Sequence, residues 1–461
     1  MINYFNFKKL NQKYLATNDL GRFIFVSPDE LKQLIQNDID YESSFGQKAL
    51  ENFFCYNGSE QGFSEHLVPY YRDSKNYLFS ATSLHIFVVT NACNMKCVYC
   101  QAQSGNCIPN GMMTIETAKK AVDIAMSSPQ TCLSFEFQGG EPLMNFETIK
   151  FIVEYSSEIA EQHKKIIEYN LVSNLTLLTE EIADFIREHN IGVSTSIDGD
   201  ETLHNANRMY RNDNGTYADV LNGINSLKSK GIGFGAIQTT TKTSLDKYRE
   251  IIDTYVELNA PSVFIRNLTP LGCANSAWDT IGYSPEQFVD FYRKCFDYII
   301  ELNKNGICLK EGHASIFLQK ILSGYAANYM ELRSPCGAGI GQIAYYYDGN
   351  IYTCDEGRML AEMGDDSFCL GTVDNSYDEL MNCNNCKAVC ISSVLESLPN
   401  CCDCVYQPYC GTCPVVNLAL KKDIYNKEPN DYKCKVYKGM LDTIFEALQD
   451  EDKEGILKQW I

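Results

Sequence analysis

The sequence predicts an α/β protein: a partial, TIM-like (β/α)6 barrel between a small N-terminal α+β module and a C-terminal cysteine-rich domain. Three observations predict it. From residue 84, apolar strand-like runs alternate six times with amphipathic helical runs. Residues 1–80 carry short β-prone runs followed by helical ones, and residues 331–461 combine short strands and loops with dense cysteines. The expected domains are therefore 1–80, 81–330 and 331–461.

In the first domain "YFNFKKL", "KYLATN" and "RFIFVS" read as strands, with "NDLG" as the turn between the last two. "SPDELKQLIQ" starts a helix, with Ser27 as N-cap, Pro28 at the first helical position and Glu30 three after the cap. In the second, strands at 85–90, 133–138, 167–174, 191–198, 234–240 and 262–268 alternate with helices at 114–126, 146–160, 179–190, 217–231, 246–259 and 285–306. Such alternation implies a parallel sheet with right-handed crossovers, closed or partly closed, and places chemistry at the C-terminal strand ends. The third domain ends in a helix near "GMLDTIFEALQD". Its irregularity suits a domain built around metal clusters.

The chain has 461 residues, 45% of them hydrophobic, and a net charge of −20. That balance argues against a general nucleic-acid binder. No apolar run approaches the ~18 residues of a membrane span. The start "MINYFNFKKLNQ" lacks a charged segment followed by an apolar block, so no secretory signal or membrane partner is expected, and the expected location is cytoplasmic. The 21 cysteines are odd in number and clustered at 93–107 and 336–434. In a reducing compartment that pattern points to two metal regions.

Cys93, Cys97 and Cys100 follow the first barrel strand with spacing C-x3-C-x2-C. A cubane iron–sulfur cluster has four irons, each taking one outside ligand. Three thiolates hold three irons and leave the fourth free to bind a substrate or cofactor. A zinc knuckle completed by a distant His or Cys is the alternative.

This loop resembles that of the radical S-adenosylmethionine (SAM) enzymes. The resemblance implies that the free iron chelates the amino and carboxylate groups of the methionine moiety and that Tyr99 lies near the adenine. "FQGGEP" follows the second strand as the family's glycine-rich turn. By resemblance Gln138, Gly139, Gly140, Glu141 and Pro142 contact the methionine: glycines allow close backbone approach and Glu141 accepts from the ammonium. Ser173 and Asn174 end the third strand, where the family makes ribose contacts. Ser196 and Asp198, in "SIDG", end the fourth near the cofactor. Arg208 falls where relatives hold the methionine carboxylate. Capping or turn roles are the alternative for these last positions. His204, near Arg208, is expected to line the pocket.

The C-terminal pattern resembles the SPASM (SPASM/twitch) auxiliary-cluster extension of peptide-modifying radical enzymes. Carried over, one cluster takes Cys401, Cys404, Cys410 and Cys434, and another Cys336, Cys354 and Cys413. With the loop cluster that makes three [4Fe–4S] clusters. The family separates its last pair by three residues, whereas "CGTC" separates Cys410 and Cys413 by two. Gln342 stands where some relatives carry a fourth ligand for the second cluster. "CNNCKAVC", with Cys383, Cys386 and Cys390, is a third metal site, a ligand donor or a set of reduced thiols; Cys402 is another candidate donor. Cys55, Cys107, Cys132, Cys273, Cys295, Cys308 and Cys369 are scattered, and most are expected as small buried apolar side chains. Asp355 directly follows Cys354 and matches the catalytic base of sulfatase-maturing enzymes. A hydrogen bond to cluster sulfur or to Arg358 is its alternative role.

The resemblance implies reductive cleavage of SAM to a 5′-deoxyadenosyl radical that takes hydrogen from a bound peptide. A cross-link or an oxidised residue follows, with the auxiliary clusters accepting electrons. "YLATNDLGRFIFVSPDELKQLI", "CDEGRM" and "CVYQPYCGTCPV" resemble the B-component maturases of His-Xaa-Ser peptide systems. The implied partners are a ribosomally made precursor peptide and an electron donor such as flavodoxin or ferredoxin. The first domain weakly resembles leader-peptide recognition modules, which bind an extended peptide at a strand edge; a plain structural cap is the alternative. Sulfatase maturation, and a non-catalytic zinc or iron–sulfur scaffold, are the other functions weighed.

Overall fold

The computed structural model describes residues 1–103, 111–323, 329–426 and 431–461. The chain opens with three antiparallel strands, β1 (Asn6–Leu10), β2 (Lys13–Thr17) and β3 (Phe23–Val26), in the order β1-β2-β3. Helix Pro28–Gln36 follows, closed by the reciprocal Ser27–Glu30 cap that the sequence predicts. Ala16, Ile24, Val26, Leu31, Leu34, Ala49 and Phe54 form a small core of their own.

Among the described residues the large sheet has ten strands. β4 (Leu84–Thr90), β5 (Cys132–Gly139), β6 (Ile166–Val172), β7 (Gly192–Ser196), β8 (Phe234–Thr239) and β9 (Ser262–Arg266) are the six parallel strands read from the sequence. Beyond β9 lies the two-residue β10 (Lys310–Glu311), also parallel. On the other side β4 pairs in parallel with β11 (Gln342–Tyr346), which continues antiparallel to β12 (Asn350–Tyr352) and β13 (Cys369–Thr372). The barrel is therefore open: β4 spends its free edge on the C-terminal region, not on closing against β9.

Buried aromatics fill the sheet, with Phe87 against Phe135, Phe137 and Tyr345 at centroid distances of 4.9, 6.1 and 5.0 Å. Glu311 is buried. Its carboxylate accepts from the N–H groups of Ile265, His313 and Ala314 and from the Tyr292 hydroxyl, which fixes β9, β10 and the following helix together.

The N-terminal module docks on the C-terminal region. Thr17 Oγ1 donates to the Val405 carbonyl (2.7 Å), Tyr409 donates to the Gly21 carbonyl (2.9 Å), and Lys8 pairs with Asp442 (2.6 Å). Phe23 and Phe25 pack edge-on against the fully buried Phe445. Of the scattered cysteines, Cys55 and Cys295 are buried as expected, but Cys132 and Cys308 are exposed and Cys273 and Cys369 half-buried. Cys132 opens the solvent end of β5, and Cys308 lies in the turn before β10, so neither position has a core to enter. Cys107 lies outside the described residues.

Phe445→Ala removes the ring on which β3 rests. The expected loss is about 3–5 kcal/mol, read as a lower Tm, with faster proteolysis at the open Gly58 stretch. An unchanged melting and cleavage profile would show that the module seats without this contact.

Candidate functional site

The cysteine loop leaves the C-terminal end of β4. Thr90 Oγ1 accepts from Ala92 N–H (3.0 Å), turning the chain into the loop. The turn after β5 is bonded to it: Gly140 N–H donates to the Thr90 carbonyl (2.9 Å) and Glu141 N–H to the Ala92 carbonyl (2.8 Å). A Cβ on Gly139 (φ +154°) would sit 2.2 Å from the Thr90 carbonyl oxygen, and one on Gly140 would sit 2.1 Å from that of Ala92. Glycine is thus required because two backbones touch, a reason additional to any close approach by a ligand. On the far side of the loop Cys273 N–H donates to the Cys100 carbonyl (2.9 Å).

These strand ends surround a cavity of about 560 Å³, within the range of small-molecule sites. Cys93, Cys97, Cys100, Tyr99, Gln138, Gly139, Gly140, Glu141, Ser173, Asn174, Ser196, Arg208 and Asp355 all line it. Three expected residues do not. Pro142 is buried in the short helix after the turn. His204 is buried, its Nδ1 at 3.4 Å from the Asp198 N–H and its Nε2 at 3.2 Å from Thr216 Oγ1. Burial pulls its pKa down to about 4. Asp198 is wholly buried behind the cavity wall, where it accepts from Tyr99 Oη (2.5 Å), Asn207 Nδ2 (3.1 Å), Thr239 N–H (3.2 Å) and Arg208 Nε (3.3 Å). Its carboxylate positions the residues in front of it and has no capacity left for a ligand.

Arg208 lies with its guanidinium carbon 5.2 Å from the Tyr99 ring centroid. Burial opposes its charge, but Tyr99 and Asp198 outweigh burial and hold its pKa above the ordinary value. Glu141 is 1% exposed and accepts from Leu143 N–H (3.0 Å), Ser173 Oγ (2.7 Å) and Asn174 N–H (2.8 Å). Burial nevertheless pushes its pKa up to about 7. Ser173 and Asn174 both serve the local turn as well as facing the cavity: Ser173 Oγ accepts from Leu175 N–H, and Asn174 bonds Thr176 and Asn94.

Asp355 starts helix Asp355–Glu362, whose N-cap is Cys354, with Sγ accepting from Gly357 N–H (3.4 Å). Asp355 is ion-paired to Arg358, which is 1% exposed and also reaches Glu362 (3.1 Å). Sequence reasoning missed Arg266, Tyr329 and Glu331 beside it. Arg266, Tyr329, Glu331 and Glu356 line both the large cavity and an adjoining chamber of about 130 Å³, whose wall includes Cys413. Arg266 was findable by rule, since it is the last residue of the sixth parallel strand.

Each set of expected cluster cysteines is spatially grouped, its thiols feeling one another's charge. Burial, then Cys97 and Cys100 among other neighbours, raise Cys93. Burial followed by Cys434 and Cys404 pushes Cys401 up to about 12, and burial with the same group does so for Cys410. Those four thiols line a small cavity of about 40 Å³. Burial pushes Cys336 up to about 11 and Cys413 to about 12, and burial, Glu356, Cys413 and Cys336 raise Cys354. Among the described residues no three such side chains are already gathered as a metal cage. Buried thiols hold their protons, and metal binding must displace these as the site closes. The donor sets fit iron–sulfur clusters: three thiols open to a cavity, four around another, and a further group of three.

Residues 87–254 match the Radical SAM superfamily. An uncharacterized protein of Methanocaldococcus jannaschii is 35% identical over 185 residues, which span 40% of this chain and 62% of that protein. The cysteine-type anaerobic sulfatase-maturating enzyme of Clostridium perfringens (strain 13) is 25% identical over 379 residues, 79% of this chain and 97% of that enzyme. Among solved structures, anSMEcpe with bound AdoMet has a TM-score of 0.69 at 23% identity, covering 81% of this chain and 99% of its own. Streptococcus suis SuiB bound to precursor peptide SuiA has a TM-score of 0.54 at 15% identity, covering 93% and 98%. These two likenesses show a shared fold.

Residues 87–254 are a radical SAM domain, and the chain is a radical SAM enzyme. It is related in sequence to the anaerobic sulfatase-maturating enzymes. No helix among the described residues is long and apolar enough to cross a membrane.

A carboxyl with its pKa raised to about 7 is mostly ionised at pH 8 and mostly neutral at pH 6. If it receives the ammonium group of SAM, affinity weakens as pH falls, by up to about tenfold per unit below 7. Glu141→Gln is expected to bind weakly at every pH with that dependence gone. Equilibrium dialysis from pH 6 to 8 checks this, and equal pH slopes in both proteins would remove Glu141 from the ammonium site.

Proposed function

We propose that this chain is a radical SAM peptide maturase, which cleaves SAM reductively and uses the 5′-deoxyadenosyl radical to take hydrogen from a ribosomally made precursor peptide. The observation that carries this reading is the continuity of the two cavities. The cysteine loop, glycine turn and Arg208 face a space that continues past Arg266, Glu331 and Glu356 to the wall formed by Cys413. A peptide side chain in that passage lies between the SAM site and an auxiliary thiol group.

Cys93, Cys97 and Cys100 hold the SAM cluster, and Cys401, Cys404, Cys410, Cys434 and Cys336, Cys354, Cys413 hold the auxiliary clusters. The clusters supply one-electron chemistry when bound. The chain's own residues bind and exclude. Glu141 receives the methionine ammonium and Arg208 its carboxylate, with Ser173, Asn174 and Ser196 on the nucleoside side. Tyr99 holds Arg208 in place on one face and borders the cavity on the other. Asp355 is placed to accept a proton from the substrate, with Arg358 as its ion-pair partner. The N-terminal module presents strand edges at which an extended leader can add. SuiB, of like fold, was solved with a precursor peptide. A cross-link or an oxidised residue is the product, and flavodoxin or ferredoxin the electron donor, in a cytoplasmic setting. A neighbouring short open reading frame with repeated His-Xaa-Ser would identify the peptide.

Formylglycine generation on a sulfatase is the second reading. It is favoured by the relationship to sulfatase-maturating enzymes and by Asp355 after Cys354. Anaerobically reconstituted protein distinguishes the alternatives. Brown protein holding well over about four irons per chain, releasing 5′-deoxyadenosine with SAM and reductant, supports the enzyme. In Cys97→Ser that release is expected to fall by at least about a hundredfold, because the electron path ends. Colourless zinc protein would leave only a scaffold. Aldehyde formation on a sulfatase peptide at competent rates would replace the maturase reading with the second one.

A further inference from the structure

We infer that Cys386, on helix Asn384–Ser392, supplies the fourth thiolate for the iron–sulfur site of Cys336, Cys354 and Cys413. The inference rests on the proposed reading of those three thiols as cluster ligands. A fully protein-held cubane takes four thiolates. The Cys401 group offers four and this group three, while the C-x2-C-x3-C run at 383–390 belongs to neither.

The structure lays that helix against the three-thiol group. Val389 packs in one apolar cluster with Cys336, Cys354 and Val415. Ser393 Oγ accepts from the Cys336 N–H at 3.0 Å. Positions 386, 389, 390 and 393 share one helical face, so Cys386 lies on the face these contacts define. It is 2% exposed, and its Sγ is 2.9 Å from the point that a Cβ on Gly339 would occupy. Gly339 has φ +82°, stands midway between Cys336 and Gln342, and donates its N–H to the Thr353 carbonyl (2.7 Å), one residue before Cys354. The sulfur of Cys386 thus rests on a backbone unit that ties the Cys336 segment to the Cys354 segment.

The neighbouring thiols are placed less well. Cys383 is the helix N-cap, its Sγ accepting from Cys386 N–H (3.4 Å), and Cys390 lies one turn further along and is half-buried. As it stands the Cys386 thiol packs with the sheet core, so reaching iron takes a change of its χ1 rotamer. Ligation breaks the S–H bond, releases the proton to solvent and forms an S–Fe bond with no change of oxidation state.

The test uses the full chain with Cys93, Cys97 and Cys100 all changed to Ser, so that only the auxiliary sites load. Reconstituted with iron and sulfide, this parent is expected to hold about eight irons. Ferricyanide removes an iron that lacks a thiolate and leaves a paramagnetic three-iron cluster, counted by electron paramagnetic resonance. The parent is expected to be silent, as are its Cys383→Ser and Cys390→Ser forms. The Cys386→Ser form is expected to give about one three-iron cluster per chain, from the single opened iron. A signal in the parent, a silent Cys386→Ser, or a signal from either neighbouring variant overturns the assignment. Should Cys386→Ser fail to fold, silence in the other three still supports it and a signal in any of them refutes it. A parent holding only about four irons would instead reject the cluster reading of Cys336, Cys354 and Cys413, and the assignment with it.

Discussion

The structure depends on a contact between two backbones. The turn after β5 approaches the start of the cysteine loop so closely that neither Gly139 nor Gly140 can carry a side chain. Two N–H···O=C bonds hold them, and the bonding passes on around the rim. Glu141 ties the same turn to the end of β6 through Ser173 and Asn174. Asn174 Nδ2 then donates back to Asn94 in the cysteine loop (2.9 Å), and Asn94 donates to Thr176 (2.8 Å). The ends of three strands are closed into a ring of hydrogen bonds, with the three thiols on its inner edge. Ordering such a loop would otherwise cost on the order of 1 kcal/mol per residue.

Charge is organised around that ring in the same economical way. A fully buried carboxylate is costly unless its acceptor sites are filled. Asp198 fills them with four donors from three segments, and the result is a guanidinium fixed beside Cys97. That guanidinium draws the Cys97 thiol pKa down against the larger effect of burial. Positive charge is therefore in place where thiolates accumulate negative charge. Arg358 does the equivalent at the other wall, where Asp355 and Glu362 share one buried cation.

How much of this was readable depended on whether a local pattern carried the information. The six parallel strands, the Ser27–Glu30 cap and the cysteine loop were legible, because periodicity, caps and ligand spacing are short-range. Thirteen expected residues reach the main cavity because strand ends of a parallel sheet converge by geometry. Asp198 was misplaced because a residue two positions beyond a strand can turn either way, and only the four donors around it decide the direction; His204 sits in the helix Glu201–Asn207, on a face turned to Asp198 and Thr216. The partial barrel was expected, but what occupies its edge was hidden: β4 pairs with β11, more than 250 residues later, and no local pattern announces a long-range edge. The role of Gly139 and Gly140 was half legible; the need for glycine showed, but its steric partner did not.

The docking of the first strands against Val405, Tyr409, Asp442 and Phe445 has a temporal meaning. During synthesis these strands leave the ribosome 388 residues before the partners that receive Thr17 and Gly21. They can acquire their own small core early, but they must wait, tethered, until that surface follows.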